Sequence, residues 1–245
     1  MRIHLVNPNT TRSMTDRIAA AARAVAAPGT VIEAATSSMG PASIEGHYDD
    51  ALALPGLLAA IAEAEAAGVD AHIIACFDDT GLDAARTLAA APVVGIGEAG
   101  FHLASLIAHR FAVVTTLSRS VAVIEANLLR YGLDRRCARV RASDVAVLEL
   151  EDPASDARAR ISAEIGRAIA QDHAEAIVLG CAGMADLARA LSQEHGVPVI
   201  DGVAGAVTLA EALVRTGLKT SKGGPYAAPR PKAYAGRLAD FAPRG

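Results

Sequence analysis

Short β-branched runs alternate along the chain with Ala-rich stretches of helical character. IHLVN (3–7) leads into a helix over 13–26, VIEAAT (31–36) into one over 51–67, AHIIAC (71–76) into one over 81–90, and VVGIG (93–97) into one near 98–109. The series then starts again with FAVVTT (111–116), helix 118–131, ARVRASD (138–144), helix 155–171, AIVLGC (176–181), helix 183–194, VPVID (197–201) and a last helix near 205–216. Alternation of this kind predicts parallel strands joined by helical crossovers.

The two series superpose. Ile3 to Thr10 matches Phe111 to Ser118, and AHIIAC ending at Cys76 matches AIVLGC ending at Cys181. A helix follows each cysteine, then a strand led by proline (Pro92, Pro198), then a glycine 21 residues past the cysteine (Gly97, Gly202). The repeat predicts an α/β fold of two pseudo-symmetric domains, each a small, mainly parallel sheet flanked by helices, with a cleft between them. The first domain is expected over 1–97 plus 205–245, its last helix packing back on the first half, and the second over 98–204. The tail KTSKGGPYAAPRPK holds too much Gly, Pro and Lys for a regular element and reads either as mobile chain or as a covering loop.

Composition narrows the picture. The 245 residues suffice for one large α/β unit or two small domains; 52% are hydrophobic, only 3% aromatic, and Trp is absent. The core must therefore rest on Ala, Leu, Val and Ile, as where helices cover parallel strands. A net charge of −4 and so few aromatics exclude a global field or stacking platform for nucleic acid. The cluster Arg130, Arg135, Arg136, Arg139 and Arg141 reads as a solvated helix end and loop. MRIHLVNPNTT reads as a strand entering a turn rather than a targeting segment, and no apolar window is long enough for a membrane span. Three cysteines, an odd number, then point to the reducing cytoplasm and to free thiols.

In open parallel sheets, ligands bind beyond the carboxyl ends of the strands, where Cys76 and Cys181 both stand. Facing domains would bring the two thiols to opposite walls of one cleft. Opposed thiols suit inversion of a stereocentre, which needs a base on one face of a carbon and an acid on the other. The free cysteine pKa of about 8.5 lies near working pH and falls at a helix N-terminus; donors at the helix starts can also stabilise an enolate. A disulfide is disfavoured in a reducing compartment. Zinc is disfavoured by scattered histidines without C-x-x-C or H-x-x-x-H pairing, so no metal is expected. Two inert buried cysteines remain the competing reading.

GIGEAG (95–100) fits G-x-G-x-x-G, but it falls late in the first half and the next strand ends in Thr115 and Thr116 rather than an acid, which argues against a dinucleotide site. In NPNTT (7–11), Thr11 or Ser13 is expected to cap the next helix while Asn9 reaches the cleft. GPASIEGHYDD (40–50) lies at the same rim, with Ser43 and Ile44 as pocket candidates and Glu45 and His47 equally placed to be rim or ordinary surface residues. Cys137 belongs to neither strand-end pair and is assigned no role.

Taken together, NPNTT, GPASIEGHYDDALALPGLL, IACFDDTGLDAAR, VGIGEA, VVTT, IVLGCAGM and GLKTSKGGPYAAPRPK resemble the aspartate/glutamate/hydantoin racemase superfamily, and within it the hydantoin and allantoin racemases. The resemblance spans nearly the whole chain. It implies cofactor-independent racemisation by two cysteines, here Cys76 and Cys181, acting on a hydantoin ring in a protein that is commonly a homo-oligomer. Carried over by position, it implies that Asn9, Ser43, Ile44, Phe77, Asp78, Asp79, Thr80, Thr115, Thr116, Ala182 and Gly183 surround the substrate. One departure stands out. Many relatives have a small residue and then Asp-Pro-Gly where this chain has Asp78, Asp79, Thr80 and Gly81, so an extra carboxylate bears on side-chain preference. The absence of Lys and Arg from 72–83 and 177–188 suits a neutral ring better than a dicarboxylate. The reading is racemisation of 5-substituted hydantoins at C5; an allantoin racemase, an aspartate or glutamate racemase, and a non-catalytic binding protein with the same cleft are the alternatives.

Overall fold

A computed structural model describes residues 1–152 and 154–243. The first half runs β1 (Arg2–Asn7), α1 (Arg12–Val25), β2 (Val31–Thr36), α2 (His47–Ala66), β3 (Ala71–Ile74), α3 (Leu82–Leu88), β4 (Val93–Gly95) and α4 (Ile96–Ile107). The second runs β5 (Phe111–Thr115), α5 (Val121–Arg130), β6 (Cys137–Ala142), α6 (Ala157–Asp172), β7 (Ala176–Gly180), α7 (Ala188–His195), β8 (Val199–Asp201) and α8 (Gly202–Arg215). Both form four-stranded, all-parallel sheets, ordered β2-β1-β3-β4 and β6-β5-β7-β8. The sequence repeat is thus a repeat of topology.

Boundaries differ where local chemistry overrides the apolar pattern. Helix α2 starts at His47 rather than 51, with Asp49 and Asp50 in its first turn, where carboxylates meet the positive end of the helix. After Cys181 the chain first makes a 3-10 helix, Ala182–Leu187, and only then α7. Helix α8 begins at Gly202, three residues early, because Asp201 accepts the N–H groups of Val203 and Ala204 at 2.8 and 3.0 Å. The arginine cluster is not simply solvated. Arg136 donates to the carbonyls of Ser105, Ala108 and His109 at the end of α4, and Arg141 pairs with Asp172 and Glu164.

The helices that end the two halves are exchanged. Helix α4 follows β4 of the first sheet but packs on β7 of the second, while α8 follows β8 of the second and packs on α1, β3 and β4 of the first. One continuous core results, joining Ile3, Leu5 and Ile73 of one sheet to Val113 and Val178 of the other through Ala99, Phe101, Val203 and Val207. Separate apolar layers cover the outer faces: Val6 and Ile74 beneath Leu57 and Ile61, and Val114 and Leu179 beneath Ile161 and Ile165. Strands buried on both faces explain why their sequences are runs of apolar residues rather than alternations.

The tail straps the first half. Thr220 bonds the carbonyls of Ala90 and Ala91, Lys222 donates to those of Arg86 and Thr87, and the Tyr226 hydroxyl donates to Asp83. Among the described residues, no helix is long and apolar enough to cross a membrane.

The α4–α8 crossing sets a close approach: a Cβ added at Gly202 would lie 2.3 Å from the Ile96 carbonyl oxygen, a backbone atom with nowhere to move. Gly202→Ala is expected to destabilise the protein by about 1 to 3 kcal/mol in chemical denaturation, despite the better helix propensity of Ala. Gly166→Ala, whose Cβ would meet only His195 at 3.9 Å within α6, is expected to stabilise by about 0.5 to 1 kcal/mol. Equal effects from the two would contradict a tight seam.

Candidate active site

Cys76 lies two residues beyond the end of β3 and Cys181 directly beyond β7, the two strands that are twins in the repeat. Both thiols are free and both line one small cavity of about 40 Å³. The turns that carry them share a backbone pattern. The N–H three residues on closes each turn onto the cysteine carbonyl, from Asp79 and from Met184, both at 3.1 Å. The N–H two residues on, of Asp78 and of Gly183, acts in each turn to lower the pKa of the cysteine.

Of the residues expected around a ligand, Asn9, Ile44, Phe77, Asp78, Thr116 and Ala182 line this cavity with the two cysteines. Ser43, Asp79, Thr80, Thr115 and Gly183 lie outside its lining. Thr115 donates to the Gly180 carbonyl at 2.9 Å, tying β5 to the end of β7. Ser43 donates to Glu45, and the same Glu45 oxygen accepts from the Val147 N–H, so Glu45 bridges two rim loops rather than facing solvent idly. Gly183 opens instead on a neighbouring groove of about 750 Å³ between α1 and α7, which contains neither thiol.

Thr80 sits behind Cys76, its hydroxyl 2.6 Å from an Asp50 carboxylate oxygen and 3.4 Å from the Cys76 sulfur. One hydroxyl has one proton, and the shorter contact to a carboxylate takes it. The longer contact to the Cys76 sulfur is the weaker one: it acts to lower the thiol pKa but does not offset burial.

Asp79 was expected around the substrate; instead it caps a helix remote from its own turn. Its carboxylate accepts the N–H groups of Gly97 and Glu98 at 3.0 and 2.8 Å, at the start of α4, together with the Tyr131 hydroxyl at 2.8 Å. Room for it exists because position 97 is glycine: a Cβ there would fall 2.4 Å from the Phe77 carbonyl and 2.8 Å from Asp79. The GIGEAG motif therefore serves helix capping and packing. Asn127 of α5 completes the clamp by donating to the Asp78 carbonyl at 2.8 Å. Neither Asn127 nor Tyr131 was visible from sequence, because both belong to the other half of the repeat.

Nor does NPNTT cap α1 as expected. The Thr11 hydroxyl reaches the Ala42 carbonyl and Ser13 reaches Glu151, so both fasten other loops. Asn9 accepts from Asn7 and from the Thr11 N–H, and its amide donates to the Met14 sulfur. Met14, Ser120 and Val147 also line the cavity. Their common signal is position at the carboxyl ends of β1, β5 and β6, a rim rule that the cysteine-centred reading did not apply to every loop.

Electrostatics correct a second expectation. Neither thiol is lowered toward neutrality by a helix N-terminus: α3 starts only at Leu82, and Cys181 precedes a 3-10 turn. Burial pushes Cys76 well up, with the Asp78 charge adding to it. Burial likewise pushes Cys181 up to about 11 against the Gly183 N–H, with Asp78 and Glu45 contributing in the same direction. Asp78 is raised to about 7, by burial first and then by Asp50. Asp79 also reaches about 7, burial outweighing its three hydrogen bonds. No Lys or Arg is among the lining residues, and among the described residues no three His, Cys, Asp or Glu side chains converge as a metal site.

The cavity thus presents two neutral thiols to whatever lies between them, each able to give a proton or, once ionised, to take one. Only the thiolate is alkylated, so iodoacetamide labelling of Cys76 and Cys181, followed by peptide mass spectrometry, should still be accelerating about tenfold per pH unit at pH ~9. A plateau near the free-cysteine value of about 8.5 would show that burial does not control them.

A family model described as Asp/Glu/Hydantoin racemase matches residues 3–210. A hydantoin racemase from Rhizobium meliloti is 51% identical over 236 residues, covering 96% of this chain and 98% of its own. One from Pseudomonas sp. (strain NS671) is 46% identical over 241 residues, covering 98% and 97%. The solved structure of an allantoin racemase from Klebsiella pneumoniae superposes with a TM-score of 0.96 at 48% identity, covering 100% of both chains.

Proposed function

This chain belongs to the Asp/Glu/hydantoin racemase family and is a racemase, and we propose that it inverts C5 of 5-substituted hydantoins with Cys76 and Cys181 as its two bases. The observation that carries this reading is the pair of free thiols, at twin strand ends, lining a single cavity.

The chemistry follows from the substrate class. The C5–H of a hydantoin is acidified by the adjacent C4 carbonyl, which receives the electron pair as an enolate when the proton leaves. One cysteine, as thiolate, takes that proton from one face; the other, as thiol, delivers its own to the opposite face, and the C4 carbonyl reforms. The first cysteine ends protonated and the second ionised, which is the state required for the reverse direction. No electrons leave the substrate and no water is consumed, so the thiols suffice as proton carriers and the reaction runs without a cofactor.

Raised thiol pKa values fit this role when both states are considered. A cavity that holds the thiols neutral also holds the transferred proton, and a strong base is needed against a weakly acidic C–H. A neutral ring suits an acid-lined cavity without cations; a free aspartate or glutamate would bring carboxylates to Asp78 with no positive charge to receive them.

Cys76→Ser and Cys181→Ser are each expected to lower racemisation of an enantiopure 5-substituted hydantoin, followed by optical rotation, by about 10²- to 10⁴-fold. In deuterium oxide each variant should still exchange the C5 proton of one enantiomer, the one that meets the surviving thiol. Wild-type racemisation by either variant would remove the two-thiol mechanism. Faster turnover of L-glutamate than of hydantoins would remove the substrate class.

A further inference from the structure

Two histidines lie side by side in the first sheet, and the proton transfers described above use neither. His4 of β1 and His72 of β3 are cross-strand neighbours, 5% and 0% exposed, with their Nδ1 atoms 3.1 Å apart. Their twins in the second sheet, Ala112 and Ile177, pair in the same register and are apolar. The fold itself therefore has no need of a polar pair at this place.

The pair is wired outward. His72 Nε2 lies 2.9 Å from one oxygen of Glu65, in the last turn of α2, and the other oxygen accepts the N–H groups of Ala90 and Ala91 at 2.8 and 3.3 Å. The carbonyls of those two residues are the ones that Thr220 bonds, by its N–H at 3.1 Å and its hydroxyl at 2.8 Å, where the tail begins its strap. One hydrogen-bonded path thus runs from the sheet to the tail.

That path has room for a fixed number of protons. With the Glu65 carboxylate accepting the Nε2–H, a neutral His72 keeps its lone pair on Nδ1, and His4 donates to it. A further proton at the junction would set N–H against N–H at 3.1 Å. On the far nitrogen of His4 it would leave a buried cation with no acceptor among the described residues. The charges facing the pair are Glu65 from α2, Glu33 of β2, which is already paired with Arg2, and Lys222 of the tail, near Glu65; Asp70 accepts the Arg2 N–H.

We propose that the His4–His72 pair is an acid-sensitive latch: below neutrality protonation parts the two rings, Glu65 loses its hold on Ala90 and Ala91, and the tail strap detaches from the first half. The strand that carries His72 leads directly to the Cys76 turn, so the latch lies between the tail and the cavity.

The sign follows from proton binding in the two states. Burial, then the neighbouring His72, pushes His4 down to about 4 against the pull of Glu33, and burial pushes His72 down against Glu65. Rings that have parted and met water bind protons at the ordinary value of about 6.5. The released chain therefore holds more protons between these values, and stability that is full above pH ~6.5 is lost as the pH falls below it.

The test compares the full-length protein with His4→Ala/His72→Ile, which copies the apolar twins. In urea denaturation, lowering the pH from ~7.5 to ~5.5 is expected to reduce the wild-type folding constant about 10-fold more per histidine, about 10- to 100-fold in all, than that of the variant. A protease active at both pH values, with peptide mass spectrometry, should cut between Lys219 and Tyr226 about tenfold faster at the lower pH in wild type, and at a rate independent of pH in the variant. Proton NMR of the wild-type histidine rings covers the case of a variant that does not fold: in the folded protein His4 and His72 should not titrate near pH ~6.5.

Folding constants whose pH dependence agrees within about threefold in the two proteins overturn the latch, as does titration of either ring near its ordinary value in the folded chain. Cleavage of the strap that ignores pH in wild type overturns its link to the tail. No step needs catalysis and none of the readouts measures it, so failure of the racemase reading, seen as no turnover of any hydantoin, is a separate result.

Discussion

The crossing of α4 and α8 is the contact on which the remainder depends. Where Gly202 faces the Ile96 carbonyl, the two backbones approach more closely than any side chain allows. Each helix has left its own half to cover the other's sheet. The exchange fuses what would otherwise be two small cores into one. It also brings the carboxyl ends of β3 and β7 to the same cavity, so the seam that stabilises the fold is the seam that makes the site.

The Cys76 turn is built into that seam. Asp79 holds the start of α4, Tyr131 holds Asp79, and Asn127 holds the Asp78 carbonyl, so elements of both halves grip two consecutive residues. The second half solves the equivalent capping problem locally, with Asp201 bonding its own helix. Pseudo-symmetry is therefore kept in the backbone of the two turns and broken in their side chains: Phe77, Asp78, Asp79 and Thr80 follow one cysteine, Ala182, Gly183, Met184 and Ala185 the other. Such asymmetry is compatible with racemisation. Two enantiomers free in solution have equal free energy, so an uneven site changes how each is bound but not the final ratio.

Much of this was legible in the chain itself. Strands buried on both faces read as apolar runs, the repeat gives the succession of elements twice over, and equal spacing from cysteine to glycine pairs Cys76 with Cys181. What was misread shares one cause. The thiol pKa values, the groups held by Thr11 and Ser13, and the place of Asp79, Thr80 and Thr115 behind the cavity all depend on partners remote in sequence or on burial.

Sequence by itself determined the two-sheet α/β architecture, the equivalence of the two cysteines and the absence of Lys and Arg from the segments that carry them, because periodicity, spacing and composition are local properties of the chain. Only the tertiary structure decided which carboxylate caps a helix and which lines the cavity. Asp78 and Asp79 are adjacent and chemically identical, yet folding sets one among three donors and leaves the other facing the cavity. Hydrogen bonding and desolvation depend on what the fold brings within about 3 Å, and no local pattern encodes that.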